Sequence, residues 1–257
     1  GGDGSGSLNL STGTGLLAAA CGSRVVKHGN RSVSSRSGSA DMLECLGMPL
    51  PLHENEATAC LQATSFTFLF APAYHPAMKA VVPIRGALSV RTVFNVLGPL
   101  TNPAAPPYQL IGAYSRDAAR LMAETLAGMP LERAFVVHGE PGWDEATPAG
   151  EFVLYDVRPN SVTEHVRSPA DYGLAQCAPV DLEGGDAEHN ARELIRVFTG
   201  EDKGAHRDAL LMGASLVLEC QGDAKDPKDG VAQAAAAIDD GRAQAFLDNL
   251  RAHFEGQ

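Results

Sequence analysis

The sequence predicts an α/β fold, with a mostly parallel sheet flanked by helices. Short apolar segments typical of strands alternate with amphipathic segments typical of helices, and this order indicates βαβ units. Glycines such as Gly22 and Gly128 follow several of the helical segments, where they can end a helix. The chain has 257 residues, 44% of them hydrophobic and 20% charged, which is enough apolar material for the core of a large domain.

The individual elements follow from these patterns. We expect helices at 13–22, from Ser39 or Ala40 to Gly47, around 54–64, and at 117–128, 186–199, 205–220, 228–240 and 242–254, and strands at 24–26, 108–113 and 134–139, with a hairpin from 151–157 and 162–166. Residues 48–90 contain five prolines and an aromatic run, and we interpret them as short helices in a separate layer. The predicted domains are therefore an α/β domain (1–47 and 91–257) and part of a small helical domain (48–90).

Charge and cysteine usage exclude several classes of function. The net charge is −11, whereas a general nucleic-acid binder or a polybasic membrane binder needs a basic face. No apolar run approaches the ~18 residues that a membrane span requires. The five cysteines are widely spaced and form no CxxC pair, which indicates a reduced cytoplasmic chain without a disulfide framework or a zinc site. We therefore expect no nucleic-acid partner and no membrane partner.

Glycines and hydroxyls dominate the first 13 residues, GGDGSGSLNLSTG. Backbone N–H groups of glycines can approach an anion closely, and the helix expected from residue 13 would present its N-terminus to a phosphate. A flexible terminus explains the same composition equally well. The run is neither a Walker loop nor a dinucleotide fingerprint, because it lacks GK[ST] and no strand precedes it.

A second polar segment, KHGNRS at 27–32, follows the first expected strand. Loops at the carboxyl ends of strands form the usual ligand crevice of an α/β sheet. The local positive charge opposes that of the whole chain, so we interpret this loop as an anion pocket and not as a solvated surface loop.

Two further candidates are weaker when taken alone. Asp144 and Glu145 follow an expected strand and could hold Mg²⁺ through their oxygens, although an exposed acidic turn is the more common explanation in a chain with 31 acidic residues. Arg85 could bind a carboxylate, although a lone arginine is more often a surface ion-pair partner. The Gly98–Pro103 run is first of all a rigid turn.

Taken together and in this order, the motifs resemble the anthranilate phosphoribosyltransferase family. They are GGDGSGSLNLST, KHGNRSVSSRSGSAD, HPAMK, RTVFNVLGPLTNPA and the Asp-Glu pair after a strand, and they span essentially the whole chain. The resemblance implies the second step of tryptophan biosynthesis from chorismate. In that step anthranilate and 5-phosphoribosyl 1-pyrophosphate (PRPP) give N-(5-phosphoribosyl)anthranilate and pyrophosphate, with two Mg²⁺ ions as cofactors.

The resemblance also implies a role for each matching residue. PRPP-binding positions are Gly2, Asp3, Asn9, Ser11, Thr12, Lys27 and Ser39; anthranilate-binding positions are His28, Asn30, His75, Arg85 and Pro99; metal-binding positions are Ser11, Asp144 and Glu145. The neutral aryl amine needs no general base, so we assign no acid, base or nucleophile. Catalysis would come from positioning and from stabilising the leaving pyrophosphate.

Family members carry a helical segment before the glycine-rich run and form homodimers through it. This sequence begins inside the run, so we expect an incomplete helical domain and a largely missing dimer interface. Two alternatives stay open. One is an enzyme that resembles pyrimidine nucleoside phosphorylases, and the other is a non-enzymatic, nucleic-acid-binding paralogue of the family.

Overall fold

The computed structural model describes residues 6–32, 36–76 and 94–255, and the structural statements below concern these residues. The helices are α1 (Leu10–Ala20), α2 (Ser39–Cys45), α3 (Glu54–Thr64), α4 (Ala71–Tyr74), α5 (Phe94–Leu100), α6 (Arg116–Ala127), α7 (Ala187–Phe198), α8 (Ala205–Gln221), α9 (Pro227–Asp239) and α10 (Arg242–Glu255). The strands are β1 (Val25–Gly29), β2 (Phe66–Phe70), β3 (Tyr108–Gly112), β4 (Arg133–Gly139), β5 (Phe152–Arg158) and β6 (Ser161–Arg167). The α/β class is confirmed, and the expected helices and strands lie within a few residues of the observed ones.

The strands form two sheets of different character. β1 and β2 are a parallel pair, with Val25 opposite Phe66. The second sheet has the order β3-β4-β5-β6, in which β3 is parallel to β4 while β5 is antiparallel to both of its neighbours. The predicted hairpin is confirmed as β5 and β6, and the turn between them contains Asn160 at φ 59°. Because so short a connection cannot join parallel strands, β5 and β6 pair antiparallel. The described sheets are thus more mixed than the mostly parallel sheet expected.

Helix α1 crosses α8 at very short range. An added Cβ at Gly13 would lie 2.7 Å from Leu210 Cδ2, and one at Gly213 would lie 2.1 Å from Thr14 Oγ1. Leu16 and Leu17 of α1 are fully buried in the core that surrounds this crossing. Because glycine at the contact lets the two backbones approach, α1 is fixed in place and its N-terminus has a defined position.

A strand lies within residues 48–90, which we interpreted as short helices in a separate layer, so that interpretation is wrong for Phe66–Phe70. Phe66–Phe70 form strand β2, paired with β1. Phe66 and Phe68 are buried in the same core as Leu16 of α1, and α3 packs against β2 and α10. The aromatic residues recur at every second position, which is the period of a strand. The extent of any separate helical domain stays a prediction, since residues 77–93 lie outside the described ranges.

All five cysteines are free thiols, and burial raises the pKa of Cys220 to about 12. In the described ranges no helix is both long enough and apolar enough to cross a lipid bilayer.

Candidate active site

Strand β1 carries polar side chains toward both of its faces near its carboxyl end. Lys27 extends to α1, where its Nζ donates a 2.9 Å hydrogen bond to Ser11 Oγ. The next residue, His28, contacts His75, with 3.2 Å between the two Nε2 atoms. Successive strand residues point to opposite faces. We call these the lysine side, made of Asn9, Ser11, Lys27 and Ser37, and the histidine side, made of His28 and His75.

The side chain of Lys27 has a lowered pKa. Removal from water lowers the pKa of Lys27 to about 8, and the nearby Glu145 carboxylate opposes this shift. The stem of the side chain runs along α1, since an added Cβ at Gly15 would lie 3.9 Å from Lys27 Cδ. An ammonium beside the first turn of α1 is suited to attract an anion.

The loop after β4 holds Asp144 and Glu145 against the ends of two strands. An added Cβ at Gly112 of β3 would lie 1.6 Å from Asp144 O, and one at Gly139 of β4 would lie 2.4 Å from Glu145 O. Each glycine therefore makes room for the loop backbone at that point. Asp144 is only 4% exposed. The charge of Glu145 acts on Lys27, so Glu145 lies near the lysine side.

The available donors fit Mg²⁺. Asp144, Glu145 and Ser11 offer oxygen atoms, which Mg²⁺ prefers, and they supply neither sulfur nor imidazole. In the part of the chain that the structure describes, no group of three or more His, Cys, Asp or Glu side chains could hold a metal ion. Mg²⁺ commonly takes one or two carboxylates and completes its octahedron with water and substrate phosphates. The site therefore suits an ion shared with a phosphate-bearing ligand.

Asn9 occupies the N-cap position of α1, but its side chain makes no capping hydrogen bond to the helix. Instead the Asn9 amide bonds the loop before α2 twice. Asn9 Nδ2 donates to Ser37 O at 3.2 Å, and Ser37 Oγ donates to Asn9 Oδ1 at 2.8 Å. The starts of α1 and α2 are thereby joined.

On the histidine side, the two rings meet edge to face with centroids 5.0 Å apart. Burial, the neighbouring His75 and the charge of Lys27 together lower the pKa of His28 to about 4, and a hydrogen bond to the backbone of Gly98 opposes them. His28 is therefore neutral near pH 7. Of the two facing Nε2 atoms, one carries the proton and the other accepts it.

The structure places the other predicted residues as follows. Ser39 begins α2 beside Gly29, where an added Cβ would lie 3.6 Å from Ser39 Cβ. Asn30 is exposed just beyond β1, and its Oδ1 accepts the N–H of Arg31 at 2.7 Å. Both residues therefore lie near the carboxyl end of β1.

Thr12 and Pro99 both lie among the described residues. Thr12 is 1% exposed, and its hydroxyl has no hydrogen-bond partner among those residues, so its role in binding PRPP stays a prediction. Pro99 is exposed within α5, which extends to Leu100; the expected turn therefore begins at Thr101 and not at Gly98. Because Gly98 bonds His28, Pro99 lies beside the histidine side.

Three predicted residues cannot be placed. Gly2, Asp3 and Arg85 lie outside the described residues, and their roles stay predictions.

A separate cavity of about 450 Å³ lies near the start of α8, lined in part by Cys177, Asp202, His206 and Asp208. Among the described residues that line it there is no lysine or arginine. The carboxylates that line this cavity would repel a phosphate, so we do not assign anion binding to it.

Sequence reasoning missed two polar residues that support the site. Asn190 of α7 donates to Asn9 Oδ1 at 2.8 Å, and Asn102 donates to Val26 O at 3.1 Å. Both contacts cross a long stretch of chain. The available signals were the Gly184-Gly185 turn before α7 and the Asn-Pro pair at 102–103, and neither identifies a partner.

Comparison with known proteins assigns this chain to a class. A model of the glycosyl transferase family, a/b domain, matches residues 1–244. The fold and the site thus define an α/β glycosyltransferase domain.

Individual relatives show which family within this class the chain resembles. Anthranilate phosphoribosyltransferases from Rubrobacter xylanophilus and Solibacter usitatus are 44% and 46% identical, each over 97% of this chain and 73% of the relative. The crystal structure of the Thermus thermophilus anthranilate phosphoribosyltransferase matches with a TM-score of 0.92 and 41% identity, over 99% of this chain and 76% of that one. The Saccharomyces cerevisiae enzyme in complex with PRPP and Mg matches at 0.91 and 28%, over 100% of this chain and 72% of that one.

The chain belongs to the anthranilate phosphoribosyltransferase family. This confirms the resemblance drawn from the motifs.

Proposed function

We propose that this chain transfers the phosphoribosyl group of PRPP to the amine of anthranilate and releases pyrophosphate, the second step of tryptophan biosynthesis. The observation that carries the proposal is the contact of Lys27 Nζ with Ser11 Oγ, 2.9 Å, at the first turn of α1 and near Glu145. A cation and a helix N-terminus meet here, and the charge of Glu145 reaches the cation, which supports a site for Mg²⁺ and pyrophosphate. These groups would stabilise a departing pyrophosphate.

The difficult step is the departure of pyrophosphate, because negative charge grows on its bridging oxygen as the bond to the ribose C1 breaks. Lys27 would attract this charge, and the hydroxyl of Ser11 would donate to a phosphate oxygen. Mg²⁺, when bound, would neutralise charge on the leaving group. We propose two such ions, with Asp144, Glu145 and Ser11 as the residues that hold them.

The acceptor would bind on the histidine side. A neutral His28 adds no charge there, so the aryl amine meets a ring that can donate or accept a hydrogen bond. We propose that His28, His75, Asn30 and Pro99 surround anthranilate and that Arg85 binds its carboxylate. The neutral amine would form a bond to C1 as the bond from C1 to the pyrophosphate oxygen breaks, and the nitrogen would then lose its proton to water.

The direct test follows the loss of anthranilate fluorescence with PRPP and Mg²⁺. Turnover that depends on all three components supports the proposal. Absence of turnover together with phosphorolysis of thymidine or uridine by inorganic phosphate would instead assign the site to a nucleoside phosphorylase.

Arg85→Ala tests the acceptor assignment. We expect KM for anthranilate to rise by about 10-fold or more, since a bidentate charge-assisted contact is lost, while KM for PRPP changes little. Equal effects on both substrates would remove Arg85 from this role. Arg24→Ala, an exposed arginine before β1, is the control.

We further propose that the protein acts on these small molecules in the cytoplasm, and that a homodimer, the form of the family, depends on the helical segment that family members carry before the glycine-rich run. The family resemblance supports the dimer, and the five free thiols agree with a reducing compartment. Light scattering coupled to size-exclusion chromatography measures the oligomeric state.

A further inference from the structure

A buried asparagine on α7 holds the amide of Asn9. Asn190 is 2% exposed and lies near the start of α7, whose N-cap is Asp186. Its Nδ2 donates to Asn9 Oδ1 at 2.8 Å, and its Oδ1 accepts the backbone N–H of Gly185 at 2.8 Å. The two asparagines are 181 positions apart, so the fold alone brings them together.

Backbone groups at the two ends of this network determine both amide orientations. The Gly185 N–H can only donate, so the Asn190 atom that faces it is oxygen and its nitrogen faces Asn9. The Asn9 atom that receives this bond is therefore Oδ1. Asn9 Nδ2 then faces the carbonyl of Ser37, 3.2 Å away, which can only accept. The direction of each hydrogen bond in this series determines the direction of the next one, so the Asn9 amide has one orientation.

This orientation leaves Asn9 with a hydrogen-bond donor. Its Oδ1 accepts from both Asn190 Nδ2 and Ser37 Oγ, and one hydrogen of Nδ2 is given to Ser37 O. Within the contacts of the described residues, the second hydrogen of Nδ2 is unused. Asn9 is half-buried at the start of α1, so this N–H can reach a ligand. A flipped amide would present oxygen, which repels a phosphate.

The segment that leads into α7 also supports the glycine-rich run. Gly184 N donates to Gly6 O at 2.9 Å, and Leu8 N donates to Leu182 O at 3.0 Å. An added Cβ at Gly184 would lie 2.5 Å from Ser7 O, so glycine permits this approach. The segment before α7 thus binds the residues before α1 through backbone hydrogen bonds.

We propose that Asn190 is a positioning residue for PRPP, which acts through Asn9 by holding the free N–H of that amide toward the substrate. The inference rests on the proposed function, since it requires that Asn9 contact PRPP.

Asn190→Asp tests the proposal with little change in shape. The variant keeps an oxygen for Gly185 but places a second oxygen against Asn9 Oδ1. We expect PRPP affinity, measured by calorimetry with Mg²⁺, to fall about 10-fold, the cost of one misdirected hydrogen bond, while KM for anthranilate changes less than about 2-fold. Asn249→Asp on the exposed face of α10 makes the same charge change and should bind PRPP normally.

A double-mutant cycle separates positioning from a general structural role. If Asn190 acts through Asn9, Asn190→Ala weakens PRPP binding in the unsubstituted protein but has no further effect once Asn9→Ala is present. A residue that only stabilises the fold would lower the melting temperature and add its full effect to that of Asn9→Ala. Should a buried Asp at 190 prevent folding, the alanine cycle carries the test alone.

The outcomes are distinguishable. Weaker PRPP binding that vanishes in the Asn9→Ala background supports the positioning role. Normal PRPP binding by the Asn190 variants, or full additivity with Asn9→Ala, overturns it while the proposed function stands. Failure of the unsubstituted protein to bind PRPP overturns both.

Discussion

The two sides of β1 are built in different ways. On the lysine side, hydrogen bonds tie together β1, the start of α1, the loop before α2 and the entry to α7. On the histidine side, the described contacts are a ring pair and a bond from His28 to the backbone of Gly98. The lysine side is thus held by directional bonds from several segments and the histidine side by few.

This difference matches the chemistry proposed for each side. A pyrophosphate that gains charge is stabilised most by dipoles and charges that are already oriented, because no reorganisation is then required. A flat, singly charged acceptor needs shape and one charge partner. We therefore expect substitutions on the lysine side to cost more than equivalent ones on the histidine side.

The largest effect is expected from Asp144→Asn combined with Glu145→Gln. Loss of both carboxylates removes the protein's main ligands for Mg²⁺, so kcat/KM should fall by about 10²-fold or more. The activity that remains should need higher Mg²⁺, which a titration of rate against metal concentration measures. An unchanged Mg²⁺ dependence would refute the metal assignment. Asp117→Asn with Glu124→Gln on the exposed face of α6 is the charge-matched control.

The next largest effect is expected from Lys27→Met. The substitution keeps the apolar stem along α1 but removes the ammonium, so KM for PRPP should rise about 10- to 100-fold, more than KM for anthranilate. Lys27→Arg should retain part of the function because it keeps the charge. Lys203→Met, at an exposed position, should behave as the unsubstituted protein. A larger effect on anthranilate than on PRPP would contradict the division into two sides.

A smaller effect is expected on the histidine side. His75→Asn removes the ring that contacts His28, so KM for anthranilate should rise by about 10-fold at most, with little change in KM for PRPP, since one neutral contact is lost. Steady-state kinetics with each substrate varied in turn measures the split. His53→Asn, exposed before α3, is the control. A rise in KM for PRPP alone would show that His75 does not contribute to the anthranilate site on the histidine side.

The smallest effect concerns stability against pH. Because the pKa of His28 falls to about 4 in the folded protein, the unfolded chain binds the extra proton between about pH 6.5 and pH 4. Stability therefore decreases as pH falls through this window. For a half-buried ring this contribution is about 1 kcal/mol after solvent screening.

Thermal unfolding near the two ends of that window tests this contribution. The His28→Gln variant should lose less stability on acidification than the unsubstituted protein, and the exposed His165→Gln should lose the same amount as that protein. Equal losses in all three proteins would show that His28 does not carry the effect.

Local pattern accounts for the elements that were predicted well. The β5–β6 hairpin, α3 and the four C-terminal helices follow from periodicity and from turn residues next to them in the chain. The same holds for the polar loop at the end of β1, which local composition alone singled out. The aromatic run at Phe66–Phe70 also has the period of a strand, but the prolines and helical segments next to it concealed that signal.

The sequence by itself determined the α/β class, most elements, the candidate residues Lys27, Asp144 and Glu145, and the family. Only the tertiary structure decided that β2 joins β1, that Thr12 is buried, and that Asn190 orients Asn9 across 181 positions. The physical reason is that period and composition act between near neighbours. An amide has no preferred orientation until distant backbone groups, here Gly185 and Ser37, supply a donor at one end and an acceptor at the other.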